Sequence, residues 1–139
     1  MLCLGLMSGT SADGVDAVLA DFRGRSERPD WQLIRHQHCP YAEDLQHQLV
    51  ATGQGTPLSA EAWLELAEAV TEAQAAAARA CDPDGTAELV GCHGQTLWHR
   101  PPANGRRGAS WQVLQGPLLA RLLERPVVHD FRAADLALG

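Results

Sequence analysis

The sequence of 139 residues contains no lysine, so all eleven basic residues are arginine. This absence excludes a lysine nucleophile and the lysine of a Walker-type phosphate loop, and no Gly-x-x-x-x-Gly-Lys-[Ser/Thr] motif is present. The chain also lacks an apolar run long enough to span a membrane, and no basic segment precedes its short apolar start. We therefore expect a cytoplasmic protein.

Paired cysteines and metal-ligand clusters are also missing. The four cysteines are scattered, and no two of them form a Cys-x-x-Cys pair. This argues against structural zinc and against a disulfide scaffold, so we expect reduced, buried thiols. The histidines at 36, 38, 47 and 99 have no acidic or cysteine partner at a useful spacing, and we assign no metal to them. The net charge of −6 makes the chain a poor candidate for nonspecific nucleic-acid binding.

What is present is typical of one globular domain, with 45% apolar and 20% charged residues. Strands are predicted at Leu2–Met7, Val15–Phe22, Trp31–His38, Ala87–Cys92, Trp111–Leu114 and Pro126–Asp130. Helices are predicted at Ala42–Ala51, from the Ser59 N-cap to Ala80, and at Pro117–Glu124. Arg23–Asp30 is predicted as a charged turn, and Phe131–Gly139 is assigned to no element. The order predicts an α/β fold: a mixed sheet with a three-strand antiparallel meander, flanked by helices.

The opening loop is the first place where chemistry could occur. Between two apolar runs, Ser8–Gly14 holds three hydroxyls, two glycines and a carboxylate, with a second carboxylate at Asp16. Glycines let backbone N–H groups approach an anion, hydroxyls add donors, and a carboxylate can hold a metal-bound water. Turns also carry these residues for conformational reasons alone. The loop is thus either a phosphate-binding hairpin or an ordinary turn.

Two further polar clusters follow predicted strands. In the segment Gly91–Thr96, His93 either caps the strand or faces a ligand at the sheet edge, where α/β ligand sites usually lie. In the segment His129–Arg132, Asp130 and Arg132 either bind a polar ligand or form an internal ion pair. Because all three clusters follow strands, the sequence favours one shared cleft.

The three clusters together resemble one family. Gly5–Asp16 (GLMSGTSADGVD), Gly91–His99 (GCHGQTLWH) and Val128–Gly139 (VHDFRAADLALG) are similar to segments of anhydro-N-acetylmuramic acid kinases, in order and across essentially the whole chain. That family belongs to the superfamily of sugar kinases, heat-shock chaperones and actin, which has a ribonuclease-H-like sheet in each of two domains. Its members use ATP to open the 1,6-anhydro ring and phosphorylate O6, forming N-acetylmuramic acid 6-phosphate in peptidoglycan recycling.

The resemblance implies roles for particular residues. The ATP phosphate loop would comprise Gly9, Thr10, Ser11, Ala12, Asp13, Gly14, Val15 and Asp16. Asp13 or Asp16 could orient Mg²⁺ through water. The sugar site would be lined by His93, Gly94, Gln95 and Thr96, with Thr96 as a direct contact and with Asp130 and Arg132 flanking the same cleft. Relatives form homodimers, so the resemblance also implies this partner besides ATP and the sugar.

The sequence also departs from the family pattern. Ala133 and Ala134 stand where some relatives carry basic residues, so an arginine contact to the sugar is in doubt. The family's general-base aspartate and adenosine pocket are expected beyond Gly139. Residues 1–139 would then be the N-terminal part of the kinase, inactive alone and poorly soluble, with apolar surface exposed. The alternatives are a non-catalytic nucleotide- or sugar-binding module, another sugar kinase of the superfamily, and a fragment without a ligand.

Overall fold

The computed structural model describes residues 1–25 and 27–138, so Gly139, the last residue of the expected domain, lies outside the described residues. The described residues form six strands and four helices. The strands are β1 (Leu2–Ser8), β2 (Gly14–Arg25), β3 (Arg28–Pro40), β4 (Leu89–Arg100), β5 (Ala109–Val113) and β6 (Val127–His129). The helices are α1 (Glu43–Gly53), α2 (Ala60–Cys81), α3 (Gly116–Leu123) and α4 (Phe131–Leu138).

The strands form one mixed sheet in the order β3-β2-β1-β4-β5, with β6 paired to β4 beside β5. The predicted antiparallel meander of β1, β2 and β3 is confirmed. β4 runs parallel to β1 and to β6, and antiparallel to β5. Because β4 is central and its neighbours end at the same edge, the loops after β1 and β6 are brought near β4.

Helix α2 is the main cover of one sheet face. Its predicted cap is confirmed, since the Ser59 hydroxyl accepts a hydrogen bond of 3.1 Å from the Ala62 N–H. The helix packs against β1, β2, β3 and β4. Its buried side includes Ala75, Ala77 and Ala78, whose small side chains let the helix lie close to the sheet. On the opposite face of β1 and β2, Met7, Val18 and Phe22 line a groove in which Met7 and Phe22 are exposed, and we call it the open face.

Three local predictions differ from the structure in extent. The charged turn predicted over Arg23–Asp30 is shorter than expected, because strand pairing continues to Arg25 opposite Arg28. Its first three residues extend β2, and Arg28–Asp30 begin the edge strand β3, where Pro29 is tolerated. β4 extends to Arg100 instead of ending at Cys92, because β5 supplies its second half with a partner. Phe131–Leu138, which the prediction assigned to no element, form helix α4. None of the described helices is both long and apolar enough to cross a membrane.

Candidate functional site

The loop between β1 and β2 is closed by a tight turn. The Gly9 carbonyl accepts a hydrogen bond of 3.2 Å from the Ala12 N–H, and Ala12 adopts a left-handed φ of 50° with its side chain buried. The hydroxyl-bearing residues Thr10 and Ser11 are exposed at the tip. Burial of Ala12 anchors the loop to the core, so the polar side chains of the tip face solvent.

Two carboxylates were expected near the phosphate loop, and the structure separates them. The Ser11 hydroxyl donates to Asp13 Oδ1 over 2.8 Å, and this hydrogen bond lowers the pKa of Asp13. Asp16 lies on the open face, where its Oδ1 is 3.1 Å from His36 Nε2 and 3.3 Å from His38 Nδ1. Asp13 is therefore the ionised carboxylate at the loop tip, and Asp16 pairs with β3 instead.

A buried polar network that the sequence analysis missed lies beneath the loop. The Ser8 hydroxyl is 2.8 Å from the Tyr41 phenol oxygen, and the Gln74 amide donates to Ser8 over 2.6 Å. The Tyr41 N–H also donates to the Asp13 carbonyl over 3.2 Å. Burial raises the pKa of Tyr41 to about 12. One signal was available: Gln74 is a polar residue one turn after Val70 on the apolar side of α2.

The second cluster does not follow a strand but lies within β4, where it is divided between the two faces of the sheet. His93 faces the open side, in an apolar groove that also includes Gly91 and Phe131. The Gln95 side chain is fully buried, and its Nε2 donates to the Gly9 carbonyl over 2.7 Å. The second cluster thus contacts the opening loop through Gln95.

Thr96 connects this region to β5. The Gln112 amide donates to Thr96 Oγ1 over 3.3 Å and to Ser110 Oγ over 2.6 Å. A cavity of about 270 Å³ beside these residues is lined by Ser110, Trp111, Gln112, Leu114, His129 and Asp130. Gln112 and Ser110, which the sequence analysis did not single out, therefore link Thr96 to the third cluster.

The third cluster, His129–Arg132, is divided between two cavities. Asp130 lines the cavity beside Gln112, whereas Arg132 lines a separate cavity with His99 and Asp135. No salt bridge joins Asp130 to Arg132 in residues 1–25 and 27–138, so the ion-pair alternative is not observed. Asp130 has a φ of 61° at the junction of β6 and α4. Ala133, at one departure from the family pattern, is exposed on α4, and the side chain of Ala134 lies outside the described residues.

Comparison with known proteins gives one consistent result. The family model described as anhydro-N-acetylmuramic acid kinase matches residues 1–139. The chain belongs to the anhydro-N-acetylmuramic acid kinase family. It is 73% identical over 139 residues to the anhydro-N-acetylmuramic acid kinase of Synechococcus sp. strain CC9902 and 64% identical to that of Prochlorococcus marinus strain MIT 9303. All of the chain is covered in both comparisons, and it spans 37% of each relative's length.

Family membership confirms the resemblance drawn from the three segments. The site residues assigned through the resemblance stay predictions, and the structure divides them into groups by their contacts and cavities. Gln95 contacts the loop at the Gly9 carbonyl, and Gln112 contacts Thr96 and lines one cavity with Asp130. His93 and Asp16 line the groove of the open face, and Arg132 lines a third cavity.

Proposed function

We propose that this chain carries the ATP phosphate-binding loop and part of the sugar-binding surface of an anhydro-N-acetylmuramic acid kinase. The complete enzyme would open the 1,6-anhydro ring of the sugar and phosphorylate O6, in the cytoplasm, as a step of peptidoglycan recycling. The sheet would belong to the first domain of a two-domain actin-like fold. The observation that carries the proposal is the match of the family model to residues 1–139.

The chemistry of the loop tip supports phosphate binding. Thr10 and Ser11 present exposed hydroxyls, and the backbone of Gly9 is free of a β-carbon at a position where a phosphate could approach. Phosphoryl transfer depends on positioning and charge neutralisation more than on covalent help from the protein. The loop would supply part of the positioning by orienting donors toward the phosphate oxygens.

The donor set also fits Mg²⁺ held through water. Asp13 is exposed and ionised at the tip, whereas Asp16 is paired with two histidines. The described residues contain no group of three or more His, Cys, Asp or Glu side chains that could hold a metal. This agrees with the preference of Mg²⁺ for water and substrate phosphates over a cage of protein ligands. When bound, Mg²⁺ would neutralise phosphate charge; Asp13 is the residue of this chain that would orient its water.

The cavity beside β5 is the part of the site that we assign to the sugar. Its lining combines the Gln112 amide, the Ser110 hydroxyl and the region of Asp130, which can hydrogen-bond to sugar hydroxyls. Thr96 reaches this region through Gln112. His93 and Arg132 face other parts of the surface, and we assign them no direct contact with the same ligand.

Nucleotide binding to the 139-residue chain tests the first half of the proposal. Titration with a nonhydrolysable ATP analogue and Mg²⁺ should give saturable binding, and Ser11→Ala should weaken it about tenfold, because it removes the hydroxyl that donates to Asp13 at the loop tip. Thr56→Ala, in the exposed loop before α2, is the matched control and should bind like the parent chain. Equal binding by both variants would contradict the assignment of the loop.

Turnover of the sugar tests the second half of the proposal, which is that the chain forms part of an anhydro-N-acetylmuramic acid kinase. The chain should give no phosphorylated sugar when incubated with ATP, Mg²⁺ and 1,6-anhydro-N-acetylmuramic acid. A chimera in which these 139 residues replace the matching part of the Synechococcus sp. CC9902 relative should give product. Product from the chain alone would show that residues 1–139 are sufficient for phosphorylation of the sugar. An inactive but folded chimera would indicate that the chain is a non-catalytic binding module.

A further inference from the structure

Gln95 has an unusual position for a residue expected to touch a sugar. Its side chain has no exposed surface, and its Nε2 donates to two backbone carbonyls, that of Gly9 at 2.7 Å and that of Thr96 at 3.0 Å. Both partners are acceptors only, so the amide has one satisfactory orientation. The Gln95 Oε1 atom is then buried and has no hydrogen-bond partner among the described residues. An unpaired buried acceptor costs stability, which points to a functional constraint on this side chain.

A bulge in β4 places Gln95 beneath the loop. Leu6 pairs with Cys92 and Ser8 pairs with Gln95, so between these pairs β1 advances two residues and β4 three. The extra residue reverses the alternation of β4, and Gln95 comes to lie on the same sheet face as Ser8. Without the bulge, the side chain would point to the open face, as that of His93 does.

Gly94 fixes the bulge in place. Its φ is 75°, a conformation that L side chains rarely adopt. A β-carbon there would also lie 2.9 Å from the Val113 carbonyl oxygen of the neighbouring strand. Another residue at this position would therefore shift β4 and move Gln95 away from the loop.

The contact with Gly9 determines which way the loop backbone points. The Gly9 carbonyl and the Thr10 N–H belong to one planar trans peptide, so they point in opposite directions. Because the carbonyl is directed inward to Gln95 and to the Ala12 N–H, the Thr10 N–H is directed outward at the exposed tip. An outward N–H is the donor that an anionic phosphate oxygen requires.

We propose that Gln95 is a positioning residue for phosphate binding, which holds the Gly9 carbonyl inward so that the Thr10 N–H faces the nucleotide. This inference rests on the proposed function of the loop. It assigns the Gln95 side chain to the nucleotide half of the site instead of the sugar half. It also explains the amide at this position, since a carboxylate or an apolar side chain could not donate to Gly9.

Two measurements on the 139-residue chain test this role. Gln95→Met has nearly the same size but no donor. Without nucleotide, it should speed hydrogen exchange of the Ala12 amide about tenfold relative to amides of β1 and β2, because the turn loses its anchor. It should also weaken binding of the nonhydrolysable ATP analogue about tenfold. Leu119→Ala, in the buried side of α3, is the control for general destabilisation. While the chain is folded, it should change neither the relative exchange rate of the Ala12 amide nor the affinity for the ATP analogue.

A second variant keeps the proposal testable if Gln95→Met does not fold. The carboxyl group introduced by Gln95→Glu can donate to the Gly9 carbonyl only when it is protonated. Exchange of the Ala12 amide, taken as a ratio to the parent chain at each pH, should therefore be near one at pH about 5 and should rise as the pH approaches about 8. A ratio independent of pH would overturn the proposal.

The outcomes also separate this inference from the proposed function. Unchanged Ala12 exchange in Gln95→Met would overturn the positioning role. Faster exchange with unchanged nucleotide affinity would overturn its link to phosphate binding. If neither the parent chain nor the chimera with the Synechococcus sp. CC9902 relative binds the ATP analogue, the proposed function of the loop fails, and so does the link that rests on it. The exchange measurement still decides whether Gln95 anchors the turn.

Discussion

The Ser8 hydroxyl oxygen lies 2.8 Å from the phenol oxygen of Tyr41, and both side chains are buried. Ser8 ends β1, and Tyr41 directly follows β3, so this contact joins the C-terminal ends of the first and third strands of the meander. The Tyr41 N–H donates to the Asp13 carbonyl as well. The loop that we assign to phosphate binding is therefore held by buried contacts with Tyr41 and Gln95, and Ser8 links Tyr41 to the end of β1.

The titration of Tyr41 tests its burial. Burial raises its pKa from 10.0 to about 12, so between these values the folded chain keeps a proton that the unfolded chain has lost. The free energy of unfolding should consequently decrease as the pH rises from about 10 to about 12, by about 1.4 kcal/mol per unit from this group. Tyr41 is the only tyrosine, so its near-ultraviolet absorbance reports it directly. Ionisation near pH 10 in the folded chain would contradict the structure. Tyr41→Phe should remove the contribution of this group to the pH dependence of the free energy of unfolding.

Gln74→Leu should destabilise the chain. Gln74 is fully buried in α2 and donates to Ser8, and its carbonyl oxygen lies 3.7 Å from Cys92 Sγ. The change removes a buried donor, so we expect the free energy of unfolding in urea to fall by about 1–3 kcal/mol. Gln48→Leu, on the exposed side of α1, is the matched control and should change it by less than about 0.5 kcal/mol. Equal effects of the two substitutions would argue against the network.

The cysteines should differ in reactivity. Cys92 is fully buried, and burial raises the pKa of its thiol to about 11, whereas Cys3 and Cys39 are only partly buried. Because the thiolate is the reactive form, alkylation at about pH 8 should modify Cys3 and Cys39 first. Cys92 should react only after urea unfolds the chain. Mass spectrometry of the alkylated peptides gives the order, and early modification of Cys92 would show that β4 is accessible beside the site.

The open face should make the isolated chain bind an apolar dye. Met7, Phe22, Val128 and Phe131 are each at least one third exposed there, and they line an apolar groove of about 680 Å³. A surface patch of this kind favours association, so we expect poor solubility together with strong fluorescence of anilinonaphthalene sulfonate. Phe22→Ser combined with Val128→Ser should reduce the fluorescence, whereas Leu64→Ser, on the exposed side of α2, should not. A monodisperse chain without dye binding would contradict this prediction.

Local patterns were sufficient for part of the fold. The meander follows from apolar runs separated by turn residues, and α2 follows from its apolar stripe and the Ser59 cap, which depend on neighbours within a few residues. The opening loop was found for the same reason, since Gly9, Ser11 and Asp13 form a turn from within a single segment. Family membership was likewise readable from three short segments.

Long-range pairing decided what local patterns could not. β4 continues to Arg100 because β5 pairs with it, and a strand partner on the far side of the intervening loop leaves no trace in the local periodicity. Helix α4 was also missed, although it has as many residues as the predicted helix α3. Neither the network around Gln74 nor the cavity beside Gln112 could be predicted, because both join elements that are distant along the chain.

The sequence by itself determined the family of this protein, the meander and a polar turn with the composition of a phosphate loop. Only the tertiary structure decided which of the expected residues act together. His93 and Gln95 are two positions apart, and simple alternation would place them on the same face of β4. The bulge at Gly94 reverses that alternation, so Gln95 reaches Gly9 while His93 faces the open side. The direction of a side chain in a sheet depends on register with neighbouring strands, which is fixed only when the chain has folded.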